Sequence, residues 1–242
     1  MELTIEPIQV HSMKDACVAR LEQMILSGEL KIGERLPSER KFATRLNISR
    51  PVLHQALVDL EAKGLVQILP RRGVFISDYR RDGSLAMLSS LLSYHNGQLS
   101  PDLSQSMLDM RLLLETETAR LAAIHRTEQQ MADFHDLLSA EITPLNLVPQ
   151  KLTELDYNFH LLIAIASSNL VYPLIINSFK EVYTGLTGKF FHEYHNTINI
   201  KAVHDIHQQL VAAIEVQDTD SAVQIMIEML KHGEGYLKGE YS

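Results

Sequence analysis

The chain has 242 residues, enough for one large domain or two of ordinary size. Its content of 45% hydrophobic and 21% charged residues is typical of soluble globular proteins. Cys17 is the only cysteine, which excludes an intramolecular disulfide and disfavours a structural zinc finger. The N-terminus lacks an apolar signal core, and no apolar run reaches the ~20 residues of a membrane span. We therefore expect a cytoplasmic protein without a membrane partner.

Charge is distributed unevenly along the chain, whose formal net charge is −8. Residues 1–81 contain 13 Lys and Arg against 10 Asp and Glu, a net charge of +3. The remaining residues contain 9 Lys and Arg against 20 Asp and Glu, a net charge of −11. This asymmetry predicts two modules with different partners, although an acidic surface also serves solubility alone.

The first sixty residues predict three helices. They cover 13–26, 39–46 and a third segment that begins after Ser49. Gly28 is expected to end the first helix. Ser38 and Ser49 are expected to cap the second and third helices, and Pro51 lies in the first turn of the third, where a missing N–H costs little.

Two short strands follow, 65–69 and 74–76. Three helices and a hairpin in this order predict a winged helix-turn-helix. In such a domain the third helix enters the major groove, and the hairpin, or wing, reaches the minor groove or the backbone. Basic and polar residues fall where this docking needs them. The predicted contacts to double-stranded DNA are Arg40, Ser49, Arg50, His54, Gln55, Arg71, Arg72 and Gly73.

Several of these residues resemble those of the GntR-type transcription regulators. The likeness covers nearly all of 10–77 and rests on Gly33-Glu34-Arg35-Leu36-Pro37-Ser38-Glu39-Arg40, Ser49-Arg50-Pro51-Val52, Ala56-Leu57, Leu60, Gly64-Leu65 and Gly73. By this resemblance Arg40 and Arg50 contact DNA. His54 stands where the family usually has a second arginine, so only its position carries over.

A polar segment without periodicity, 78–83, predicts the joint between two domains. It separates the winged helix-turn-helix, 1–77, from a larger domain, 84–242, that we expect to bind an effector and to dimerise. The larger domain is predicted to be an all-helical bundle, so the fold class is mainly α. Its candidate helices are 84–94, 102–124, 127–142, 150–167, 170–195, 198–216 and 218–238.

One pattern in the larger domain has the spacing of a metal site. Asp156 and His160 are four residues apart, so both project from one face of a helix, and both types bind divalent ions. His204, His207 and His232 lie on later predicted helices. An Asp–His pair at this spacing is often only a hydrogen bond within a helix, so the spacing alone leaves both interpretations open.

A second resemblance covers most of 84–235. The sequence is similar to the FCD domain, the C-terminal ligand domain of FadR-like GntR regulators, at 155–160, 164–169, 111–115, 119–123 and 207–214. Many FCD domains hold a divalent metal through one Asp and three His, beside a pocket for a small carboxylate. The resemblance implies Asp156, His160 and His207 as ligands for Zn²⁺, Mn²⁺ or Ni²⁺, and Arg111, Glu115 and Asn169 as effector contacts.

The fourth ligand position departs from the family pattern. Met229 aligns there, and His232, three residues on, substitutes only if the helix is shifted. Residues such as Tyr172, Asn177 and Tyr183 also resemble the acyl-CoA-binding members of the subfamily, which lack this metal site. The chain has no Trp, which those proteins place near acyl-CoA, so acyl-CoA is the alternative effector.

Together these features predict a ligand-responsive transcriptional regulator, not an enzyme. One winged helix reads a half-site, so we expect a homodimer on a palindromic operator. No GxGxxG, P-loop, GxSxG, HExxH or CxxC pattern is present, which argues against the commonest enzyme classes. Two other classes stay open: a metal-dependent hydrolase with an appended winged helix, and a winged helix that contacts protein instead of DNA.

Overall fold

The computed structural model describes residues 12–84, 86, 87, 90, 91, 101–193 and 197–237. The chain divides into two compact units, residues 1–98 and 99–242. The described residues are mainly helical and contain one two-stranded sheet. Among them, no helix is both long and apolar enough to cross a lipid bilayer.

Unit 1 contains the three predicted helices and the hairpin. Its elements are α1 Met13–Leu26, α2 Glu39–Leu46, α3 Arg50–Ala62, β1 Val66–Leu69, β2 Gly73–Ile76 and a single turn, α4, Tyr79–Asp82. The Ser49 hydroxyl caps α3 by accepting the N–H of Val52. Ser38 occupies the N-cap position of α2, but its side chain makes no capping hydrogen bond, so that predicted cap is wrong.

The wing is an antiparallel hairpin in which Val66 pairs with Ile76 and Leu69 with Gly73. The loop before α2 joins its edge, because the N–H of Leu36 donates to the carbonyl of Val74 at 2.9 Å. Beneath the wing, apolar side chains of all three main helices form one hydrophobic cluster. The most deeply buried members are Leu21, Leu53, Ala56, Leu57, Leu60 and Leu65.

Gly64 allows a close approach between the end of α3 and the segment after the wing. Its φ is +77°, and a Cβ at this position would lie 2.0 Å from the carbonyl oxygen of Asp82. Ser84 continues the contact by donating its N–H to the carbonyl of Lys63. The segment predicted as a joint, 78–83, is therefore packed on unit 1, and the division between the compact units follows Gln98.

A buried polar cluster extends this packing. Ser90 Oγ donates to Glu22 Oε1 at 2.8 Å, and Lys63 Nζ donates to both Glu22 Oε1, at 2.6 Å, and Ser90 Oγ, at 2.9 Å. Met87 and Leu91 join the hydrophobic cluster of unit 1. The helix predicted over 84–94 otherwise lies largely outside the described residues.

Unit 2 is helical apart from its connecting loops, within the residues described. Its elements are α5 Pro101–His125, α6 Glu128–Glu141, a 3₁₀ turn Pro144–Asn146, α7 Pro149–Ala166, α8 Tyr172–Ser178, α9 Lys180–Glu193, α10 Thr197–Glu215 and α11 Thr219–Leu237. Helix α7 packs against α5, α6, α8 and α9, and α11 packs against α5, α9 and α10. Phe134, Phe159, Ile163, Leu210 and Ile214 fill the core between α6, α7 and α10.

Five predicted helices of unit 2 are confirmed, with ends that agree to within one residue. The single helix predicted over 170–195 is wrong. The chain forms two helices there because Phe179, at φ −98° and ψ 5°, leaves helical geometry between α8 and α9. Helix α7 contacts four other helices of this unit. Two of its polar residues, Asp156 and His160, line a cavity.

Candidate DNA-binding surface and ligand cavity

The outer face of α3 carries several polar side chains, because most of its apolar residues occupy the inner face. Leu53, Leu57 and Leu60 are at most 1% exposed, whereas the predicted DNA contacts Arg50, His54 and Gln55 are exposed. Arg40 of α2 is exposed as well. The structure thus presents these four side chains to solvent on the helix-turn-helix.

Glu39, at the start of α2, connects two of the predicted DNA contacts. Its Oε2 lies 3.4 Å from Arg50 Nε, and its Oε1 lies 3.1 Å from His54 Nδ1. Arg50 remains 72% exposed and His54 54% exposed, while Glu39 is 22% exposed. This bridge could not be predicted from the sequence, because helical periodicity does not relate residues on two different helices.

The wing tip is basic and needs glycine at one position. Arg71 and Arg72 are exposed at the turn, and Arg71 adopts a φ of 63°. Gly73 has a φ of +108°, and a Cβ there would lie 3.0 Å from Arg35 Nε. Gly73 therefore shapes the wing and makes room for the Arg35 guanidinium, an exposed basic group absent from the predicted contacts.

In unit 2, α7 and α10 bring three possible metal ligands together. Asp156, His160 and His207 are buried, and each offers one ligand atom within 4.8 Å of the others. Among the described residues, Asp156 Oδ2 and His207 Nε2 are buried without a hydrogen-bond partner. An unpaired buried polar atom costs about 1–3 kcal/mol. A divalent ion would satisfy both atoms, so these side chains fit a metal.

Buried carboxylates orient the two imidazoles of this cluster. His207 Nδ1 lies 2.7 Å from Glu141 Oε1, and His160 Nδ1 forms an ion-pair contact with Glu115 Oε2. A carboxylate only accepts hydrogen bonds, so Nδ1 of His207 carries its proton there and leaves Nε2 for a metal. Burial disfavours the Glu141 charge, but His207 and His204 outweigh it and lower the pKa of Glu141.

Arg111 and Glu115 form a buried ion pair beside the cluster. Arg111 Nε donates to Glu115 Oε1 at 2.6 Å, and Arg111 Nη2 donates to the Tyr183 hydroxyl at 2.9 Å. Burial disfavours the Glu115 charge, but Arg111 and His160 outweigh it and lower the pKa of Glu115 to about 2. Burial opposes the Arg111 charge too, yet Glu115 and Tyr183 keep the pKa of Arg111 above its usual value.

The cluster and Arg111 line one cavity with a volume of about 70 Å³. That is room for a few water molecules or one small organic acid. Met229 and His232 also line the wall, but the group of ligand atoms within 4.8 Å comprises only Asp156, His160 and His207 among the described residues. The remaining wall is largely apolar, with Leu186, Phe190, Phe191, Val203, Ile206 and Leu230.

Two of the predicted effector contacts, Glu115 and Asn169, do not line this cavity. Glu115 touches Arg111 and His160 but is not among the described residues of the cavity wall. Asn169 is absent from that wall as well, and its Oδ1 accepts the N–H of Val171 at 2.9 Å. Asn169 thus stabilises a turn between α7 and α8, a role common for asparagine, and its effector contact stays a prediction.

Comparison with known proteins decides the family. Residues 14–76 match the bacterial regulatory proteins of the gntR family, and residues 106–232 match the FCD domain. The chain belongs to the gntR family of bacterial regulators. It is a transcriptional regulator with an FCD effector-binding domain and not an enzyme, so the hydrolase alternative is wrong. GntR regulators bind DNA operators, FCD domains bind small molecules, and FCD domains are often metal-associated.

Known relatives of this gntR-family regulator span most of its length. The transcriptional regulator Mce2R of Mycobacterium tuberculosis is 32% identical over 75% of this chain and 74% of its own. The Glc operon transcriptional activator of Escherichia coli is 29% identical over 80% and 76%. The solved structure of Lar from Listeria monocytogenes has a TM-score of 0.63 at 15% identity, covering 97% of this chain and 100% of its own, which indicates a shared fold.

Proposed function

We propose that this cytoplasmic regulator binds a palindromic operator as a homodimer and responds to a small carboxylate held beside a divalent metal ion. The observation that carries the proposal is a pair of buried ligand atoms, Asp156 Oδ2 and His207 Nε2, which have no hydrogen-bond partner among the described residues. Both residues lie in the wall of the cavity that Arg111 also lines.

The metal would be held by three protein ligands, Asp156, His160 and His207. Carboxylate and imidazole together suit Zn²⁺, Mn²⁺ or Ni²⁺. Met229, which also lines the cavity, is a soft thioether and a poor ligand for such ions. A site with three protein ligands leaves coordination positions open for water or for the oxygens of an effector.

Arg111 supplies the counter-charge for a carboxylate. Its Nη1 donates no hydrogen bond to any residue that the structure describes, although Nε and Nη2 are both engaged. A guanidinium stays charged and binds carboxylates well. An acid with a second oxygen next to its carboxylate, such as a 2-hydroxy or 2-oxo acid, would reach both Arg111 and the metal.

The size of the cavity favours this ligand over acyl-CoA. Pockets for drug-sized molecules measure roughly 300–1,000 Å³, whereas this cavity measures about 70 Å³. A long acyl chain would require the packed side chains of the wall to move apart. A compact acid needs no such rearrangement.

Operator binding rests on the winged helix and on the family. Exposed Arg40, Arg50, Arg71 and Arg72 present positive charge on the helices and the wing, as phosphate and base contacts require. One such domain reads a half-site, and a two-fold dimer matches a palindrome. The effector changes operator affinity by no more than its own difference in affinity for the two states of the protein.

Metal analysis and calorimetry test the site directly. We expect the purified protein to bind Zn²⁺, Mn²⁺ or Ni²⁺ with one ion per chain, and His207→Ala or Asp156→Asn to weaken binding strongly. His135→Ala, which removes a half-exposed imidazole elsewhere in unit 2, is the matched control and should bind normally. If the wild-type protein binds none of the three ions, the proposed metal site is wrong.

Operator and effector are tested by gel shift. Duplexes selected from a random pool should converge on an inverted repeat, and light scattering should show a dimer at micromolar concentration. A panel of 2-hydroxy and 2-oxo acids is then titrated with metal present, and at least one should change operator affinity in the wild type but not in Arg111→Ala. A monomer bound to one half-site, or a panel without effect, would contradict the corresponding part of the proposal.

A further inference from the structure

We propose that His54 reads an adenine or a cytosine in each operator half-site through the Nε2 atom of an imidazole whose orientation is set by Glu39. The inference rests on the proposed operator binding and adds a specificity-determining residue to it. It also gives Glu39 the role of a positioning residue in recognition.

The contact between the two side chains fixes which ring nitrogen carries the proton. His54 Nδ1 lies 3.1 Å from Glu39 Oε1. A carboxylate offers only acceptors, so Nδ1 is the donor in this hydrogen bond. In the neutral ring Nε2 is then unprotonated and presents a lone pair. The side chain is 54% exposed on the outer face of α3, where a base edge can approach it.

An acceptor at this position discriminates among the four bases. In the major groove, adenine presents the N6 amino group and cytosine the N4 amino group as donors. Guanine and thymine present only acceptors on their own edges there. An unprotonated Nε2 therefore accepts a hydrogen bond from adenine or cytosine. Opposite guanine or thymine, its lone pair would face the lone pair of another acceptor, which is unfavourable. A phosphate also has only acceptors, so a backbone contact would not stabilise this form of His54.

The same carboxylate positions a second reader. Arg50 Nε lies 3.4 Å from Glu39 Oε2, so Glu39 is the acceptor for both side chains. The terminal nitrogens of Arg50 remain for a guanine, the base that arginine reads best. Arg50 and His54 are four residues apart, about 6 Å along a helix. The bases they read should therefore lie one or two steps of about 3.4 Å apart.

The test uses the full-length protein and the operator selected at pH 8. Duplexes with each of the four base pairs at every half-site position are titrated by gel shift. We expect one position to favour adenine or cytosine by about three- to tenfold, as one hydrogen bond allows. His54→Ala should abolish this preference and retain the guanine preference of Arg50, and His54→Arg should change the preferred base at that position to guanine.

Variants of Glu39 test whether this residue acts by orienting the His54 ring or only through its negative charge. Glu39→Gln keeps an acceptor for Nδ1 and should retain the preference, whereas Glu39→Ala should relax it. Arg40→Ala, which removes an exposed charge from the same helix, should weaken all duplexes equally. NMR of the ring nitrogens provides a measure independent of DNA: we expect a protonated Nδ1 and an unprotonated Nε2 in His54.

Three results would overturn the inference while leaving operator binding intact. They are a wild-type preference for guanine at the position that depends on His54, no position whose preference changes in His54→Ala, and a ring protonated at Nε2 in the free protein at pH 8. Failure of the wild type to bind any duplex with sequence preference would instead reject the proposed function, and this inference with it.

Discussion

Glu141, the last residue of α6, accepts a 2.7 Å hydrogen bond from His207 Nδ1 on α10. Its second oxygen lies 3.0 Å from His204 Nδ1, so one buried carboxylate holds two imidazoles of the same helix. The bond leaves His207 Nε2 facing Asp156, whose Oδ1 is 3.8 Å away. The geometry of the proposed metal site thus depends on a residue outside the three proposed ligands.

We expect Glu141→Gln to weaken metal binding by about 10–100-fold, the usual cost of losing an outer carboxylate. The glutamine oxygen can accept from one imidazole, but its amide nitrogen cannot accept from the other. Calorimetry with the ion that the wild type prefers measures the loss. Glu154→Gln, an exposed carboxylate on α7, is the control. Equal affinity in the wild type and Glu141→Gln would show that Glu141 does not orient the site.

Met229→His should strengthen metal binding by about tenfold or more, or about 1.4 kcal/mol. Met229 lines the same cavity as the three ligands, and a fourth imidazole would complete a tetrahedral set. Because the new ligand also occupies an open position, the change in operator affinity caused by the effector should decrease. Met229→Leu keeps the volume and should leave metal affinity unchanged. An unaltered affinity in Met229→His would place Met229 out of reach of the ion.

Arg50→Ala should lower operator affinity by about 1–3 kcal/mol, as expected for loss of a bidentate guanine contact. It should also relax sequence preference at one base pair of each half-site.

Arg71→Ala should weaken binding similarly for all sequences and reduce its salt dependence, because we expect a phosphate or groove contact at the wing tip. Gel shifts at two salt concentrations distinguish the two effects. Lys151→Ala, an exposed cation of unit 2, serves as the control.

Gly64→Ala should destabilise the winged helix by about 2 kcal/mol or more. The added Cβ would require a left-handed backbone at φ +77° and would lie 2.0 Å from the carbonyl oxygen of Asp82. Gly28 is a matched control, since its φ is +78° and a Cβ there meets nothing within 4 Å. Urea unfolding should therefore show a larger loss for Gly64→Ala than for Gly28→Ala. Equal losses would mean that the contact with Asp82 does not contribute.

Most of the local structure of both units could be predicted from the sequence alone. Helix periodicity and capping act over three or four residues, so the bounds of α1, α2 and most helices of unit 2 could be predicted without a partner element. The pairing of Asp156 with His160 was visible for the same reason, because four residues make about one helical turn. His207 was distinguished from His204 and His232 only by its likeness to a known domain.

Contacts between residues that are distant in sequence depend on the packing of the helices. Arg111 and Tyr183 are 72 positions apart, and Glu141 and His207 are 66 apart. Their contacts depend on how helices pack in three dimensions, which no local periodicity encodes. The same packing gave Glu39 two partners on α3, placed Asn169 at a turn away from the cavity, and fixed the segment after the wing against Gly64. The amino-acid pattern thus specified most helices and strands and their buried faces. The packing of the helices specified which polar side chains form hydrogen bonds and ion pairs with one another.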